Sequence, residues 1–163
     1  MKGRAWKFGD NIDTDMICPG KYLGLENPKE IASHCLEGAD PDFGKKVKPS
    51  DFIVAGKNFG CGSSREPATQ AIKDVGVGCV IAQSFARIFL RNAINIGLPI
   101  LECGDAVNLV SSNDELEIDF HNNTIINLTN KKKMKCNEFP SFMQEIISTG
   151  GLVEYAKRKL SKV

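Results

Sequence analysis

The residues best suited to chemistry lie in one short stretch, FGCGSSREP, which runs from Phe59 to Pro67. It places two hydroxyls, Ser63 and Ser64, beside the guanidinium of Arg65, shortly after the apolar run DFIVAG. A planar guanidinium favours a carboxylate held by two parallel hydrogen bonds, and the N-terminus of a following helix attracts an anion. A serine abstracts a proton only where positive groups stabilise its alkoxide. The stretch therefore predicts a carboxylate site with a serine hydroxyl beside it.

A purely structural interpretation of the same stretch remains open. Ser63 and Glu66 have the spacing of a capping box, in which both side chains satisfy backbone N–H groups at the start of a helix. The two glycines would then serve only as turn residues. If Ser64 is the N-cap, Pro67 falls in the first helical turn, where its missing N–H costs little. The hydroxyl of Ser63 would then lie just outside the helix.

The residues of this stretch do not match the motifs of other functional loops. A Walker A phosphate loop ends in G-K-[ST], whereas the order here is G-S-S-R. The dinucleotide pattern G-x-G-x-x-G with its acidic residue is missing from the stretch, and so is the hydrolase pattern G-x-S-x-G. Phosphate transfer and serine hydrolysis are therefore not expected.

The segments around the stretch indicate a parallel α/β unit. Buried strands are expected at DFIVAG, GCVIAQS and LPILEC, with helices between them at SREPATQAIKDVG and FARIFLRNAINIG. This alternation, from residue 51 to 103, implies parallel strands joined by right-handed crossovers. Ligands of such sheets bind at the carboxyl ends of the strands, and FGCGSSREP is one of the loops at those ends.

The flanking segments are expected to complete the domain. After a short strand and an Asp/Asn-rich turn, NPKEIASHCLEG predicts a helix with Asn27 as N-cap, Pro28 at its first position and Gly38 just past its end. PDFGKKVKPS predicts a loop, and VNLVS, ELEIDF and TIINLT predict short strands. The run Lys131 to Lys133 predicts a solvated turn, and the chain closes with two helices separated by a Gly-Gly break.

Composition restricts the class of protein. The chain has 163 residues, enough for one domain with a real core. Its net charge of +1 suggests neither nucleic acid nor an anionic membrane as partner. No apolar run approaches the ~20 residues of a membrane span, and the N-terminal MKGRAWKFGDN lacks the apolar core of a signal peptide. A cytoplasmic protein is therefore expected.

The six cysteines and two histidines do not have metal-site spacing. No CxxC pair and no clustered cysteine run is present, so neither a structural zinc site nor a locally held iron–sulfur cluster is expected. Several cysteines lie in apolar runs such as GVGCVIAQ and PILECGD and are interpreted as small core residues. Disulfides are not expected in a cytoplasmic chain.

Three motifs, in this order along the chain, resemble one known family. GDNIDTDMICPGKYL, GKNFGCGSSRE and SFARIFLRNAINIGLPILE are similar to segments of the small subunits of 3-isopropylmalate dehydratases, which belong to the aconitase superfamily. The small subunits of homoaconitase and 2,3-dimethylmalate dehydratase share the pattern. The resemblance covers nearly the whole chain and implies one α/β domain over residues 1–163. That domain would be a three-layer β/β/α swivelling domain, as at the C-terminus of aconitase, with a mostly parallel central sheet.

The resemblance also implies a function in leucine biosynthesis. A hydro-lyase of this family interconverts 2-isopropylmalate and 3-isopropylmalate by dehydration and rehydration, and it is active only with a large subunit that holds a [4Fe–4S] cluster. No metal or cofactor would be bound by this chain. Ser63 matches the base that removes a proton from carbon, Ser64 and Arg65 match carboxylate-binding positions, and Asp15 matches an acid near the active site. Many relatives have histidine at the position of Pro67, so any role of that histidine does not carry over.

The substrate preference is expected to depend on the loop Tyr22-Leu23-Gly24-Leu25, since this family segment contacts the variable group of the substrate. Homoaconitase small subunits resemble Y-L-R-T there, with an arginine for a third carboxylate. Leu23, Gly24 and Leu25 offer an apolar surface with a small gap, which favours an alkylmalate, although Lys21 could still reach a carboxylate. A sister dehydratase for dimethylmalate, a citramalate-type acid or homocitrate stays open, as does a non-catalytic anion-binding module.

Overall fold

A computed structural model describes residues 1–161 as a curled seven-stranded sheet with most of its helices on one side. The strands are β1 (Lys2–Lys7), β2 (Phe52–Ala55), β3 (Cys79–Ala82), β4 (Ile100–Glu102), β5 (Glu115–Asp119), β6 (Thr124–Asn127) and β7 (Lys133–Lys135). The helices are α1 (Thr14–Ile17), α2 (Pro28–Ser33), α3 (Phe43–Lys46), α4 (Glu66–Asp74), α5 (Arg87–Ile96), α6 (Ala106–Leu109), α7 (Ser141–Ser148) and α8 (Leu152–Leu160). A 3₁₀ helix spans Gly20–Tyr22.

The sheet has a parallel half and an antiparallel half that share β1. Its strand order is β4-β3-β2-β1-β5-β6-β7. Strands β1 to β4 pair in parallel, with α4 and α5 as the connections of the β2-β3-β4 unit. Strands β1, β5, β6 and β7 pair antiparallel through short turns. The predicted parallel unit between residues 51 and 103 is thus confirmed.

Side chains that alternate along the strands face two separate apolar cores. On β2, Ile53 and Ala55 face a core shared with helices α4, α5 and α7, whereas Phe52 and Val54 face a second core. That second core also receives Leu116 and Ile125 from the antiparallel half. Because successive side chains of a strand point to opposite faces, the parallel half lies between the helices and the antiparallel half. The predicted β/β/α layering is confirmed.

Helix α2 is shorter than the sequence predicts. Asn27 is its N-cap as expected and accepts from the backbone N–H of Lys29 at 3.0 Å, but the helix ends at Ser33, and Gly38 lies several residues beyond. Gly38 instead packs against the backbone of Met16, whose Cα would lie 2.7 Å from a Cβ at this position. The glycine is thus explained by close packing of two chain segments and not by helix termination.

Three further segments differ from their predicted structure. PDFGKKVKPS contains α3 because Phe43 is fully buried, with its ring centroid 5.2 Å from that of Trp6, and a helical turn carries it there. The first three residues of VNLVS lie in α6, since a short apolar run fits a buried helical turn as well as a strand. Lys133 begins β7, where Met134 is buried between two exposed lysines. Among residues 1–161, no helix is both long and apolar enough to span a membrane.

Candidate active site

The stretch FGCGSSREP connects β2 to α4 at the carboxyl end of the parallel half, as predicted. Phe59 is fully buried and packs edge-on against Phe89 of α5, with ring centroids 5.1 Å apart. Gly60 has a φ of +77°, and a Cβ at this position would lie 2.2 Å from Phe89 Cγ. The aromatic anchor and the left-handed glycine together fix the path of the loop at its start.

A second segment, residues 12 to 14, runs beside this loop. The N–H of Gly60 donates to the carbonyl of Ile12 at 2.7 Å, and the N–H of Thr14 donates to the carbonyl of Cys61 at 2.8 Å. Asp13 then caps the single turn of α1 by accepting from the N–H of Met16 at 2.7 Å. These backbone contacts place α1, which includes the predicted acid Asp15, directly against the loop.

Asp15 and Arg65 form an ion pair although they are 50 positions apart in the sequence. Arg65 Nη1 donates to Asp15 Oδ1 at 2.5 Å and to the carbonyl of Cys18 at 3.3 Å. The side chain of Arg65 is 20% exposed and that of Asp15 is 63% exposed, so the guanidinium lies in a recess with the carboxylate above it. Within residues 1–161, Nη2 and Nε of Arg65 make no hydrogen bond. A ligand carboxylate therefore has guanidinium N–H groups left to bind.

The thiol of Cys18 lies below this ion pair. Burial raises the pKa of Cys18, Arg65 lowers it, and the Asp15 carboxylate raises it further, with burial the largest effect. The net direction is upward, so the thiol is neutral at neutral pH. The positive charge of Arg65 is thus balanced by Asp15 and not by a thiolate.

Ser63 and Ser64 are exposed at the start of α4. The N-cap is Arg65, in extended conformation, and the helix begins at Glu66, so Ser64 does not cap it. In the described part of the chain neither serine hydroxyl makes a hydrogen bond, so the Ser63–Glu66 capping box of the alternative, structural interpretation is not formed. Pro67 lies in the first turn as expected. Both hydroxyls are therefore available to a ligand on the same loop as Arg65.

The predicted substrate loop follows the 3₁₀ helix Gly20–Tyr22. Leu23 is 40% exposed, Gly24 is exposed and Leu25 is half-buried, so an apolar surface faces outward. Gly20 links this loop to the ion pair, since a Cβ at Gly20 would lie 3.8 Å from Arg65 Nη1. Within residues 1–161, no hydrogen bond or ion pair joins Leu23, Gly24 or Leu25 to Arg65.

A polar cluster holds the 3₁₀ helix in place. The hydroxyl of Tyr22 lies 2.7 and 2.8 Å from the two carboxylate oxygens of Glu37. His34 Nδ1 lies 2.6 Å from Glu37 Oε2, and its ring stacks on Tyr22 with centroids 3.8 Å apart. Lys21 Nζ donates to the same carboxylate at 3.1 Å. Lys21 is therefore engaged by Glu37 in the structure.

Comparison with known proteins identifies the family. The profile of the aconitase C-terminal domain matches residues 39–105. A 3-isopropylmalate dehydratase small subunit from Caldicellulosiruptor bescii is 58% identical over 99% of this chain and 98% of its own length. The chain belongs to the 3-isopropylmalate dehydratase small-subunit family. An isopropylmalate/citramalate isomerase small subunit from Methanocaldococcus jannaschii is 54% identical over 99% of this chain and 96% of its own length.

A solved structure supports the same family assignment. The crystal structure of a 3-isopropylmalate dehydratase from Methanocaldococcus jannaschii aligns with a TM-score of 0.93 at 51% identity. The alignment covers 99% of this chain and 96% of the other. This chain and that solved structure therefore share one fold over nearly their whole lengths.

The residues expected from the 3-isopropylmalate dehydratase resemblance fall into two groups. Asp15 and Arg65 are in contact, and Ser63 and Ser64 precede Arg65 in one exposed loop. The second group, Leu23 to Leu25, lies on a separate loop next to Gly20. Among the described residues, no group of three or more His, Cys, Asp or Glu side chains is arranged to hold a metal ion.

Two features of the site in this small-subunit chain were missed from the sequence. The N-cap role of Asp13 had a usable signal, since an aspartate directly before a short apolar run is typical of a helix start. The cluster of Glu37 with Tyr22 and His34 had none, because Tyr22 is 12 and 15 positions from the other two residues, which follow the end of α2.

Proposed function

We propose that this chain is the small subunit of a 3-isopropylmalate dehydratase, a hydro-lyase of leucine biosynthesis that works with a large subunit. The observation that carries the proposal is the Arg65 guanidinium, held by Asp15 and preceded by two exposed serine hydroxyls. Elimination next to a carboxylate requires a site that binds the carboxylate and a base that removes the proton from carbon, and this loop offers both. The whole chain, residues 1–163, acts as one swivelling domain in the cytoplasm.

Arg65 binds one carboxylate of the substrate in this proposal. Its Nη1 is engaged by Asp15 and the Cys18 carbonyl, which fixes the plane of the guanidinium. Nη2 and Nε then present a fork that matches a carboxylate. Ser64, next to Arg65 in the loop, donates a further hydrogen bond to the same carboxylate. Asp15 orients Arg65 and limits its net positive charge.

Ser63 removes the proton from the carbon next to the bound carboxylate. Its hydroxyl is exposed and makes no hydrogen bond within residues 1–161, so it can turn toward a substrate. An alkoxide at this position is stabilised by the guanidinium and by the N-terminus of the nine-residue helix α4. In the reverse reaction, rehydration, the Ser63 hydroxyl returns the proton to carbon.

The remaining part of the site belongs to the large subunit. A [4Fe–4S] cluster there would supply a Lewis acid for the leaving hydroxyl of the substrate. The donor set of this chain does not suit such a cluster, because no three ligand side chains converge within residues 1–161. The open surface around Ser63 and Leu23 is where a large subunit that completes the site would dock.

The loop from Leu23 to Leu25 supports an alkylmalate over a tricarboxylic acid. Its side chains are apolar, and Lys21, the nearby cation that argued for a third carboxylate, is paired with Glu37 at 3.1 Å. A second substrate, citramalate, is favoured by similarity to the Methanocaldococcus jannaschii relative, which is an isopropylmalate/citramalate isomerase small subunit. Citramalate carries a methyl group, which the same apolar loop accepts.

The test is anaerobic turnover with a cluster-loaded large subunit from the same source. 2-Isopropylmalate, citramalate, 2,3-dimethylmalate and homocitrate are compared in parallel, and 2-isopropylmalate is expected to give the highest kcat/KM. Preference for homocitrate would overturn the argument from the apolar loop. No turnover of any of the four in a complex that has formed would favour a module that only binds anions.

The base is tested separately with Ser63→Ala. Loss of a general base lowers kcat by about 10²–10⁴-fold, while KM changes little because Arg65 still binds the carboxylate. Ser148→Ala is the matched control, since Ser148 is an exposed serine of α7 whose hydroxyl bonds within its own helix. Full activity of Ser63→Ala would remove Ser63 from the mechanism.

A further inference from the structure

Two cysteines meet where the ends of the curled sheet come together. Cys103 directly follows β4, and Cys136 directly follows β7, and these are the two edge strands of the sheet. The N–H of Asn137 donates to the carbonyl of Glu102 at 2.8 Å, so the segments that carry the cysteines are joined by a backbone hydrogen bond. In antiparallel neighbours, residues adjacent to such a bond face each other with short Cβ separations.

The two thiols lie in the same apolar core between the halves of the sheet. Cys103 is 1% exposed, Cys136 is 4% exposed, and both belong to the core that contains Cys79. The Cys103 thiol donates to the carbonyl of Lys135, the residue directly before Cys136, at 3.7 Å. All of these thiols are reduced in the structure.

We propose that Cys103 and Cys136 form a redox-active dithiol that closes to an intramolecular disulfide when it is oxidised by a peroxide. The proposal rests on the backbone bond between Asn137 and Glu102 and on the contact of the Cys103 thiol with the carbonyl directly before Cys136, and it is independent of the function proposed above. Cysteines on adjacent, hydrogen-bonded backbone segments need little backbone movement to form an S–S bond. In a reducing compartment such a disulfide is transient, as redox-sensing pairs are.

The environments of the two thiols divide the roles between them. The neighbouring Cys136 thiol has the largest effect on the pKa of Cys103 and lowers it. Burial and the Asp105 charge raise this pKa, whereas the backbone N–H groups of Ala106 and Asp105 lower it. The net result is a pKa of about 7 for Cys103. The pKa of Cys136 is raised, first by the neighbouring Cys103 thiol and then by burial, with Lys135 opposing. Cys103 is thus the attacking thiolate and Cys136 the resolving thiol.

The chemistry balances with hydrogen peroxide as the oxidant. The Cys103 thiolate attacks one peroxide oxygen, the O–O bond breaks, and the products are a sulfenic acid and hydroxide. The Cys136 thiol then attacks the sulfenic sulfur, which forms the S–S bond and releases water. One peroxide is reduced, two thiols are oxidised, and a thiol reductant reverses the change.

A cavity lies next to the segments that carry the two cysteines, and neither thiol is among its lining residues. It has a volume of about 350 Å³, and its lining includes Leu101 of β4, Asn123 and Phe139. The carbonyl of Asn123 accepts from the N–H of Cys136 at 2.8 Å, and Leu101 lies two positions before Cys103. The cavity therefore borders both segments that carry the thiols.

Peptide mapping of the full chain tests the proposal directly. Trypsin cuts after Arg91, Lys131, Lys135 and Lys157, so Cys103 and Cys136 fall in separate peptides with one cysteine each. The reduced protein is treated with stoichiometric hydrogen peroxide and mapped without reductant. We expect a linked pair of these two peptides, the loss of two titratable thiols per chain, and complete reversal by dithiothreitol. Oxidation at Cys61 without this linked pair would overturn the proposal.

Variants and a dithiol probe give the control. Phenylarsine oxide, which bridges two neighbouring thiols, is expected to bind the wild-type chain at a ratio of about one to one, and Cys103→Ser and Cys136→Ser are expected to abolish that binding. Cys79→Ser is the matched control, since burial raises the pKa of Cys79 and it has no place in the linked pair. Unchanged arsenical binding in Cys103→Ser would contradict the proposal. If that variant does not fold, the wild-type peptide map decides alone.

Discussion

The Tyr22 hydroxyl and the Glu37 carboxylate form a two-oxygen contact, with distances of 2.7 and 2.8 Å across 15 positions of the chain. His34 stacks on Tyr22 and reaches the same carboxylate at 2.6 Å, so one anion holds two aromatic rings. The result is that the 3₁₀ helix before Leu23 is anchored to the segment after α2. Glu37 thereby positions the loop proposed to contact the alkyl group of the substrate.

Glu37→Gln is expected to raise KM for 2-isopropylmalate more than it lowers kcat. The amide keeps the shape of the side chain but loses the charge that binds Tyr22, His34 and Lys21, so the loop is less well positioned. We expect KM to rise on the order of tenfold. Glu30→Gln, an exposed substitution on α2, is the control and should leave both constants unchanged. An unchanged KM in Glu37→Gln would mean that the cluster does not support the substrate loop.

The same cluster predicts an acid-dependent stability. The hydrogen bond from Tyr22, followed by those of His34 and Lys21, lowers the pKa of Glu37 to about 2. A carboxyl whose pKa is depressed in the folded state stabilises the fold fully above its unfolded pKa, about 4.3, and loses that contribution as the pH falls toward the folded value. The Tm difference between wild type and Glu37→Gln should therefore shrink from pH 6 to pH 3.

The control for this pH dependence is Glu26→Gln, because Glu26 is exposed and makes no side-chain hydrogen bond within residues 1–161. Its Tm difference from wild type should stay constant over the same range. A difference for Glu37→Gln that is equally independent of pH would show that the carboxylate contributes nothing as an anion.

Local sequence patterns predict the parallel unit well because its determinants are local. The buried strands β2 and β3 are continuous apolar runs. Helix α4 ends two residues before Gly76, whose φ of +93° is adopted easily only by glycine. The strand β7 was missed because its pattern is one buried residue, Met134, between two lysines. Such a strand is defined by pairing with β6 and not by its own composition.

The candidate site was predictable in its chemistry but not in its contacts. The residue types around Arg65 indicate an anion site from the sequence alone. The partner Asp15 came from the resemblance, since no local pattern relates residues 50 positions apart. The start of α4 was predicted one residue early, because Ser64 is a better intrinsic N-cap than Arg65. The contacts of Arg65 with Asp15 and Cys18 set its conformation instead.

Arg65→Lys is expected to lower kcat/KM strongly although it retains the charge. A lysine ammonium lacks the planar set of N–H donors of arginine. It therefore cannot bind Asp15, the Cys18 carbonyl and a ligand carboxylate at the same time. We expect a loss of about a hundredfold, mainly in KM. Arg158→Lys in α8 is the matched control, since this arginine lies in the last turn of an exposed helix. Wild-type kcat/KM in Arg65→Lys would exclude bidentate carboxylate binding.

Gly60→Ala is expected to destabilise the fold and displace the loop. The added Cβ would lie 2.2 Å from Phe89 Cγ, in a backbone conformation with φ of +77°. Overpacking and the left-handed backbone together should lower the free energy of unfolding by about 2–4 kcal/mol. Urea unfolding measures this. Gly104→Ala is the control, because a Cβ there meets nothing within 4 Å, and its free energy of unfolding should stay within about 0.5 kcal/mol of wild type.

Gly24→Arg is expected to change the substrate preference, because Gly24 is the position where homoaconitase small subunits resemble Y-L-R-T. A Cβ at Gly24 meets nothing within 4 Å and the residue is exposed, so an added side chain can extend toward solvent. Its guanidinium would offer a partner for a third carboxylate and a poor surface for an isopropyl group. With the large subunit, kcat/KM for 2-isopropylmalate should fall and that for homocitrate should rise.

Gly24→Ser is the control for this change, since it adds a side chain at the same position without a positive charge. It should weaken binding of 2-isopropylmalate only slightly and should not raise turnover of homocitrate. If both variants lose 2-isopropylmalate turnover equally and neither gains homocitrate, the loop acts through its shape alone. A charge at position 24 would then not discriminate, and specificity would depend on residues of the large subunit that face Leu23.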